Sequence, residues 1–542
     1  MGAAEPDLAR AAAPLGDEES LRLLTQLVAT APTNLEDPVH HRWEKPNYLR
    51  TADAIVRAAR AAGLATRVYD PVVAGDVPGD WHGQNRPNVI ADLDVGASET
   101  VLILAHYDVV PVPQEQWPRW RSPPHTLTLR RDGRLYGRGS SDDLGSGVVA
   151  SLLALRRLAN ASAPSPRNVR LVACCDEETG GEGGIEAIKG HDGPRAPDDP
   201  ERILRADVAL IPDGSPQTTA GSSGLIFLDA SFAGPVPLTE AVAYGHALVG
   251  LHEVARTWKS EYLSPDWPDG HAPEPVITGR ATLTRMDLQG PGPDPAHIRL
   301  LAAHAENDAA NQIARAVTLV IGGPAAEVET LRTRLGALVP PPFRLEPDGA
   351  TALAVPAGGV AFQLVGESAH AGYPHRGHNP VPVTLELLRA AIDRGWLDGR
   401  AVGSATFAVD LRLTPEMELE EGLRAAMTYG RNWAAAHAPE ARLDAPPARS
   451  RSGYALPVDH PAAVKLERIV RAIFGAEGIR GEYGGTDASA LRDLKTPGGA
   501  PLPALVFGCM DPESHIHEAE ENADPRKIAG VAEAIERFVR EP

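Results

Sequence analysis

The sequence predicts an α/β protein: a mixed, mostly parallel sheet sandwiched by helices, interrupted by an inserted α+β lid domain. Three observations predict it. Helical and strand signals alternate through the first two hundred residues, the alternation returns near the C-terminus, and the stretch between them has a different, Pro- and Gly-rich texture.

Residues 21–28 and 51–62 carry apolar side chains at helical spacing. The runs 88–93 and 101–105 are short and β-branched, as strands covered on both faces are. Residues 144–158 form a long apolar helix, followed by strands at 169–175 and 208–211. In the tail, 460–474 is helical, 504–508 is a strand and 526–540 closes the chain as a helix. Between these parts, helices are expected at 303–316 and 385–392, and strands at 317–321 and 405–412. The expected organisation is therefore 1–214 and 453–542 as one catalytic domain, with 215–452 inserted as a lid. Pro-rich segments at 194–200 and 264–275 read as surface loops.

The formal net charge of −20 excludes a basic footprint for nucleic acid. Of the three cysteines, Cys174 and Cys175 are adjacent and point to opposite faces of a strand, so they are read as buried thiols of a reducing compartment. The first residues lack a basic and an apolar region, and Pro6 stands where a myristoylation motif needs Ser or Thr, so neither a signal peptide nor a lipid anchor is expected. With no run of eighteen apolar residues, a membrane span is not expected either, and the cytoplasm is the default location.

Chemistry-bearing residues gather at the C-terminal ends of the expected strands, where open α/β sheets bind ligands. His106 and Asp108 follow the strand 101–105, and Asp108 is spaced to fix the imidazole's tautomer. Gly137-Arg-Gly-Ser-Ser-Asp142-Asp143 opens a helix; an N-capping Asp explains this run on its own, but two acids exclude a phosphate loop. Asp176-Glu177-Glu178 follows another apolar strand, where crowded acids are costly unless a cation neutralises them. Asp213 sits at a third strand end, where a turn would account for it equally well, and His515 and His517 follow the strand near Phe507. Singly each signal is modest. Together they form a histidine and carboxylate set for Zn²⁺ or a similar divalent ion, with no thiolate of a structural zinc site. Of the pair Glu177 and Glu178, one can bind metal while the other serves as general base.

In this order and spacing the motifs resemble the dinuclear zinc peptidases and deacylases that include glutamate carboxypeptidase, carnosinase, bacterial dipeptidases, aminoacylase and succinyl-diaminopimelate desuccinylase. The resemblance implies two divalent metal ions, zinc first, with Mn²⁺ and Co²⁺ as alternatives the oxygen and imidazole ligands also suit. It implies that His106, Asp142, Glu178, Asp213 and one of the two histidines bind metal, with Asp142 bridging. His517 is preferred over His515 because Glu521 follows it by four residues, although Glu520 replaces the family's Asn. Glu177 would be the general base and Asp108 the partner of His106. His370, in Gly366-Glu-Ser-Ala-His370, would reach over the site from the lid and stabilise the oxyanion. Arg412, Asn379, Gly485 and Thr486 would bind substrate. The resemblance also implies a cis Asp142–Asp143 peptide.

The implied reaction is hydrolysis of an amide in a dipeptide or short peptide. N-acyl amino acid deacylation and a non-catalytic peptide-binding homologue are the alternatives. Asp213, rather than Glu, matches relatives acting on free amino termini. An insert of this length matches a doubled lid that completes the site within one chain, so a monomer is expected, with a homodimer as the alternative.

Overall fold

The computed structural model describes residues 14–33, 47–76, 85–112, 114–233, 235–265, 275–294, 296–307, 312–347, 355–400, 403–437, 442–444 and 447–542. The N-terminal segment and most of the 264–275 loop therefore lie outside the described residues.

The described residues form two large sheets, each with its own core. At the centre of the first, Asn168–Cys174, Thr100–His106, Val208–Ile211 and Ala504–Val506 run side by side and parallel. Their Val, Ile, Leu and Ala side chains suit a layer covered on both faces; every residue of Thr100–His106 is buried. Asn88–Leu93 and Ala65–Tyr69 continue one margin antiparallel. On the other margin Thr218–Ser222 and Ile479–Glu482 follow Ala504–Val506. The helices Glu18–Thr30, Tyr48–Ala61, Ser151–Ala159, Pro461–Phe474 and Pro525–Arg540 bury their apolar sides in this core.

The second sheet is antiparallel throughout. Alternate residues of its strands pack under the helices Leu238–Ala255, Ala325–Gly336, Pro380–Asp393 and Leu419–His437. It lies wholly within 215–452, but that stretch also gives Thr218–Ser222, Lys259–Leu263 and Val276–Thr278 to the first sheet. The chain crosses between the sheets four times, and the first and last crossings run together: Ser222 pairs with Tyr454 and Leu225 with Arg451.

One expected element is different. In place of a helix over 303–316, Arg299–Glu306 and Ala316–Gly322 are adjacent antiparallel strands. Alanine's helix propensity in 299–306 yields to pairing on both sides, with Arg280–Gln289 and Ala316–Gly322. The expected helix 144–158 is present but begins as a π-helix, Asp142–Ala150, before continuing as Ser151–Ala159. Among the described residues, no helix is long and apolar enough to cross a membrane.

Candidate metal centre

His106 ends a fully buried strand, and Asp108 follows as a buried carboxylate. The two oxygens of Asp108 accept the backbone N–H groups of Glu177, at 3.0 Å, and Glu178, at 3.1 Å. His106 Nδ1 lies 3.1 Å from the Asp108 carbonyl and 3.4 Å from its carboxylate. With Nδ1 donating there, Nε2 faces Asp143 Oδ1 at 3.6 Å and Asp213 Oδ2 at 3.7 Å. Ligand atoms of His106, Asp143 and Asp213 all lie within 4.8 Å of one another. Burial pushes the Asp213 carboxyl up to about 8, against the pull of His106 and helped by Asp142 and Glu177. Burial also raises Asp143, with the Asp142 charge adding to it. Burial disfavours the His106 cation, yet Asp108, Asp143 and Asp213 outweigh it and hold the imidazole well above its usual range.

Asp142 and Asp143 come from the start of the π-helix. Leu144 N–H donates to the Gly139 carbonyl and Ser146 N–H to that of Ser141, the i→i−5 pattern. The winding needs its glycines: a Cβ on Gly145 would lie 2.2 Å from the Ser140 carbonyl oxygen. The Asp142–Asp143 peptide is trans, and among the described residues the only cis bond is Pro341–Pro342. This corrects the expected cis bond: the helical hydrogen bonding runs straight through the dipeptide. Asp143, to which the sequence reading gives no ligand role, faces His106. Asp142 stands between the two halves of the site, since its charge is felt at both Asp213 and His517. Its Oδ1 is buried without a hydrogen-bond partner.

The other half is built from Glu178 and His517, whose Nε2 lies 3.0 Å from Glu178 Oε1. Burial opposes the His517 cation, but Glu178 and Asp142 raise it to about 9. His515 is half exposed and turns to Glu518, so His517 is the histidine brought to the acids. Glu521 is buried against Arg138, and burial pushes its carboxyl up to about 7. Glu520, the departure from the family pattern, faces outward to Arg130 and the Arg121 N–H.

The second sheet brings some of its expected residues to this centre and not others. His370 Nδ1 accepts the Gly372 N–H at 3.1 Å, which leaves the ring proton on Nε2. Burial, then the positive fields of Arg412, His517 and Arg376, keep His370 neutral. Its loop is held to its own sheet by Arg280, which donates to the Gly372 carbonyl at 2.8 Å, and it meets the first unit where the rings of Tyr373 and Tyr483 lie edge-on at 5.9 Å. Arg412, expected at the substrate carboxylate, is instead buried in a two-pronged pair with Asp410, at 2.6 and 2.7 Å, and donates to the Tyr483 carbonyl. Asn379, expected beside it, caps Pro380–Asp393 through Val381 N–H and donates to the Leu283 carbonyl. Both side chains therefore have protein partners: Asp410 and the Tyr483 carbonyl for Arg412, the Val381 N–H and the Leu283 carbonyl for Asn379. Thr486 Oγ1 accepts the Ala488 N–H, and Gly485 lies against Arg451, where a Cβ would be 3.7 Å from Nη1. Arg451 went unnoticed in the sequence, since no motif marks it. Its guanidinium lies 3.1 Å from both Glu177 Oε1 and Asp487 Oδ1.

Residues 102–541 match the family model described as Peptidase family M20/M25/M40. The chain belongs to that family. It is 29% identical over 159 residues to an uncharacterized metallohydrolase of Methanocaldococcus jannaschii, covering 29% of this chain and 36% of the relative. It is 37% identical over 120 residues to a cysteinylglycine-S-conjugate dipeptidase of Corynebacterium striatum, covering 22% and 24%. The matched stretches thus span well under half of these curated relatives. The fold is similar to that of human carnosine dipeptidase 1, with a TM-score of 0.55 at 14% identity over 98% of both chains.

Peptidases of the M20 family use divalent metals, and the residues present fit such ions. Asp142, Asp143, Asp213 and Glu178 crowd two imidazoles with no Lys or Arg paired to any of them among the described contacts, and one Asp142 oxygen is buried without a partner. A cation removes both penalties at once.

Proposed function

We propose that this M20-family chain is a metallopeptidase that hydrolyses the amide bond of a dipeptide or short peptide, with two divalent ions at the strand ends. One observation carries the reading. Asp108 fixes the backbones of Glu177 and Glu178 together, yet their side chains take different partners, Glu178 turning to His517 and Glu177 to Arg451. One acid joins the metal ligands while its neighbour stays available as a base.

His106 and Asp213, with Asp143 beside them, would hold one ion; Glu178 and His517 would hold the other, with Asp142 between them. When bound, the ions supply Lewis acidity toward a water and the scissile carbonyl. Glu177 takes the water's proton and later gives it to the leaving amine. Asp108 keeps His106 in the tautomer that faces the acids. His370, neutral with its proton on Nε2, donates to the oxygen that becomes negative. Gly485 and Thr486 line the approach beside Arg451. The charge of His517 reaches His370 within one chain, which supports a catalytically complete monomer.

Asp213 and the dipeptidase name carried by one relative favour a dipeptide substrate over an N-acyl amino acid. The test is hydrolysis of dipeptide and N-acyl amino acid panels by zinc-loaded protein and by Glu177→Gln. Dipeptide cleavage by the wild type should fall about 10²–10⁴-fold in the variant. Cleavage of N-acyl substrates alone would replace the dipeptide reading, and undiminished activity in the variant would remove Glu177 as the base.

A further inference from the structure

Three arginines stand in one row across the end of the second sheet nearest the metal centre. Strand pairing aligns Arg280 with Arg412, Arg412 with Leu225, and Leu225 with Arg451. The first two serve the lid: Arg412 pairs with Asp410, and Arg280 holds the Gly372 carbonyl while lying 3.6 Å over the Tyr483 ring. Arg451 goes elsewhere. One prong of its guanidinium donates to Glu177 Oε1 and the other to Asp487 Oδ1, each at 3.1 Å.

The position of Arg451 in the chain makes this contact informative. It is the last residue of the strand Pro447–Arg451, and three residues later Tyr454 pairs with Ser222 in the first sheet. The first and last crossings press together there, since a Cβ on Gly453 would lie 2.9 Å from the Gly224 nitrogen. The guanidinium is therefore anchored at its backbone by the crossing and at its far prong by buried Asp487. A planar fork held at both ends is suited to fix one carboxylate in direction as well as distance. A glutamate otherwise turns freely about its side-chain bonds, and a base displaced by about 1 Å can lose about 10²-fold in rate.

We infer that Arg451 is a positioning residue for Glu177: it aims the general base at the metal centre and ties that aim to the seating of the second sheet. The inference rests on Glu177 being the base in the proposed reaction. Because the fork already spans two carboxylates, its role is orientation of the base and not capture of substrate.

The test compares Arg451→Lys, Arg451→Gln, Arg451→Ala and Asp487→Asn in the metal-loaded full chain. Arg451→Gln should lower kcat about 10²-fold with KM held within about threefold, because the lost interaction acts on the base and not on substrate. Arg451→Lys should recover part of kcat, Asp487→Asn should show a smaller fall of the same kind, and millimolar guanidinium should partly restore Arg451→Ala. A rise in KM with kcat unchanged, or a lowered Tm with unchanged kinetics, would overturn the inference. A Tm cycle over Arg451→Gln, Glu177→Gln and the double variant reads the pair without activity. Non-additive shifts support it, and additive shifts overturn it even if no peptide is cleaved and the functional reading has itself failed.

Discussion

The two sheets treat their polar side chains in opposite ways. At the strand ends of the first, acids accumulate against one another and against two imidazoles: Asp142, Asp143, Asp213 and Glu178 share a small volume, and one Asp142 oxygen is left buried and unbonded. In the second sheet the polar residues close on their own neighbours. Arg412 takes both oxygens of Asp410, and Asn379 spends its amide on a helix cap and a carbonyl. A framework residue is recognised by having its partners. A site that must receive something is recognised by an imbalance the protein does not resolve by itself.

The largest effects should come from resolving that imbalance. Asp142→Asn and Asp143→Asn separate the two adjacent acids, of which the sequence reading assigns only Asp142 to the metal. Elemental analysis of dialysed, zinc-loaded protein should show about two ions per chain in the wild type. Asp142→Asn, between the halves, should weaken both positions, and Asp143→Asn should weaken only the one beside His106. Undiminished metal content in Asp143→Asn would leave Asp142 as the sole aspartate ligand from this turn. In Asp142→Asn thermal stability without metal should rise, because a buried carboxyl that crowds Asp143 and Asp213 has been removed.

Asp410→Asn attacks the opposite kind of site. It leaves the Arg412 guanidinium buried opposite a neutral amide, a loss of about 3–5 kcal/mol in unfolding free energy by denaturant titration. Metal content should not change. A variant as stable as the wild type, but with KM for carboxylate-bearing substrates raised, would return Arg412 to the substrate.

His370 belongs to the second sheet's unit but works at the first, so its removal tests the join. His370→Ala should lower kcat about 10²–10³-fold, the effect of deleting one oxyanion donor. Sedimentation should show a monomer whose activity per chain does not depend on concentration. Activity regained on mixing His370→Ala with Glu177→Gln would mean that the histidine is supplied across a dimer instead.

The same contrast explains what was legible beforehand. The strand Asn88–Leu93 and the helix 461–474 could be placed closely because dense β-branched runs and an amphipathic period leave little choice. His106, Glu178, Asp213 and His517 stand at or just beyond strand ends, which marks the region, but it is the family resemblance that prefers Glu178 and His517 over their neighbours as ligands. The Ala-rich run 299–306 could not be placed, since its strand exists only through its neighbours' hydrogen bonds. Arg451 left no trace, because its partners Glu177 and Asp487 lie 274 and 36 residues away and only the crossing of the two sheets unites them. Which of Asp142 and Asp143 turns toward His106 depends on how one helical turn is wound, and composition does not record that.

Asn379 gives the smallest and cleanest contrast. Its side chain accepts the Val381 N–H at 3.1 Å at the start of Pro380–Asp393, so Asn379→Ala should cost about 1 kcal/mol of stability, as lost N-caps do. Asn379→Asp keeps the cap acceptor but loses the donation to the Leu283 carbonyl, and should fall between the two. Asn379→Ser restores a cap acceptor with a shorter reach and should recover most of the loss. A substrate-binding amide predicts the reverse order of consequences: KM would rise in all three variants while stability hardly moved. Measuring KM and unfolding free energy on the same three proteins therefore decides whether this residue belongs to the framework or to the site.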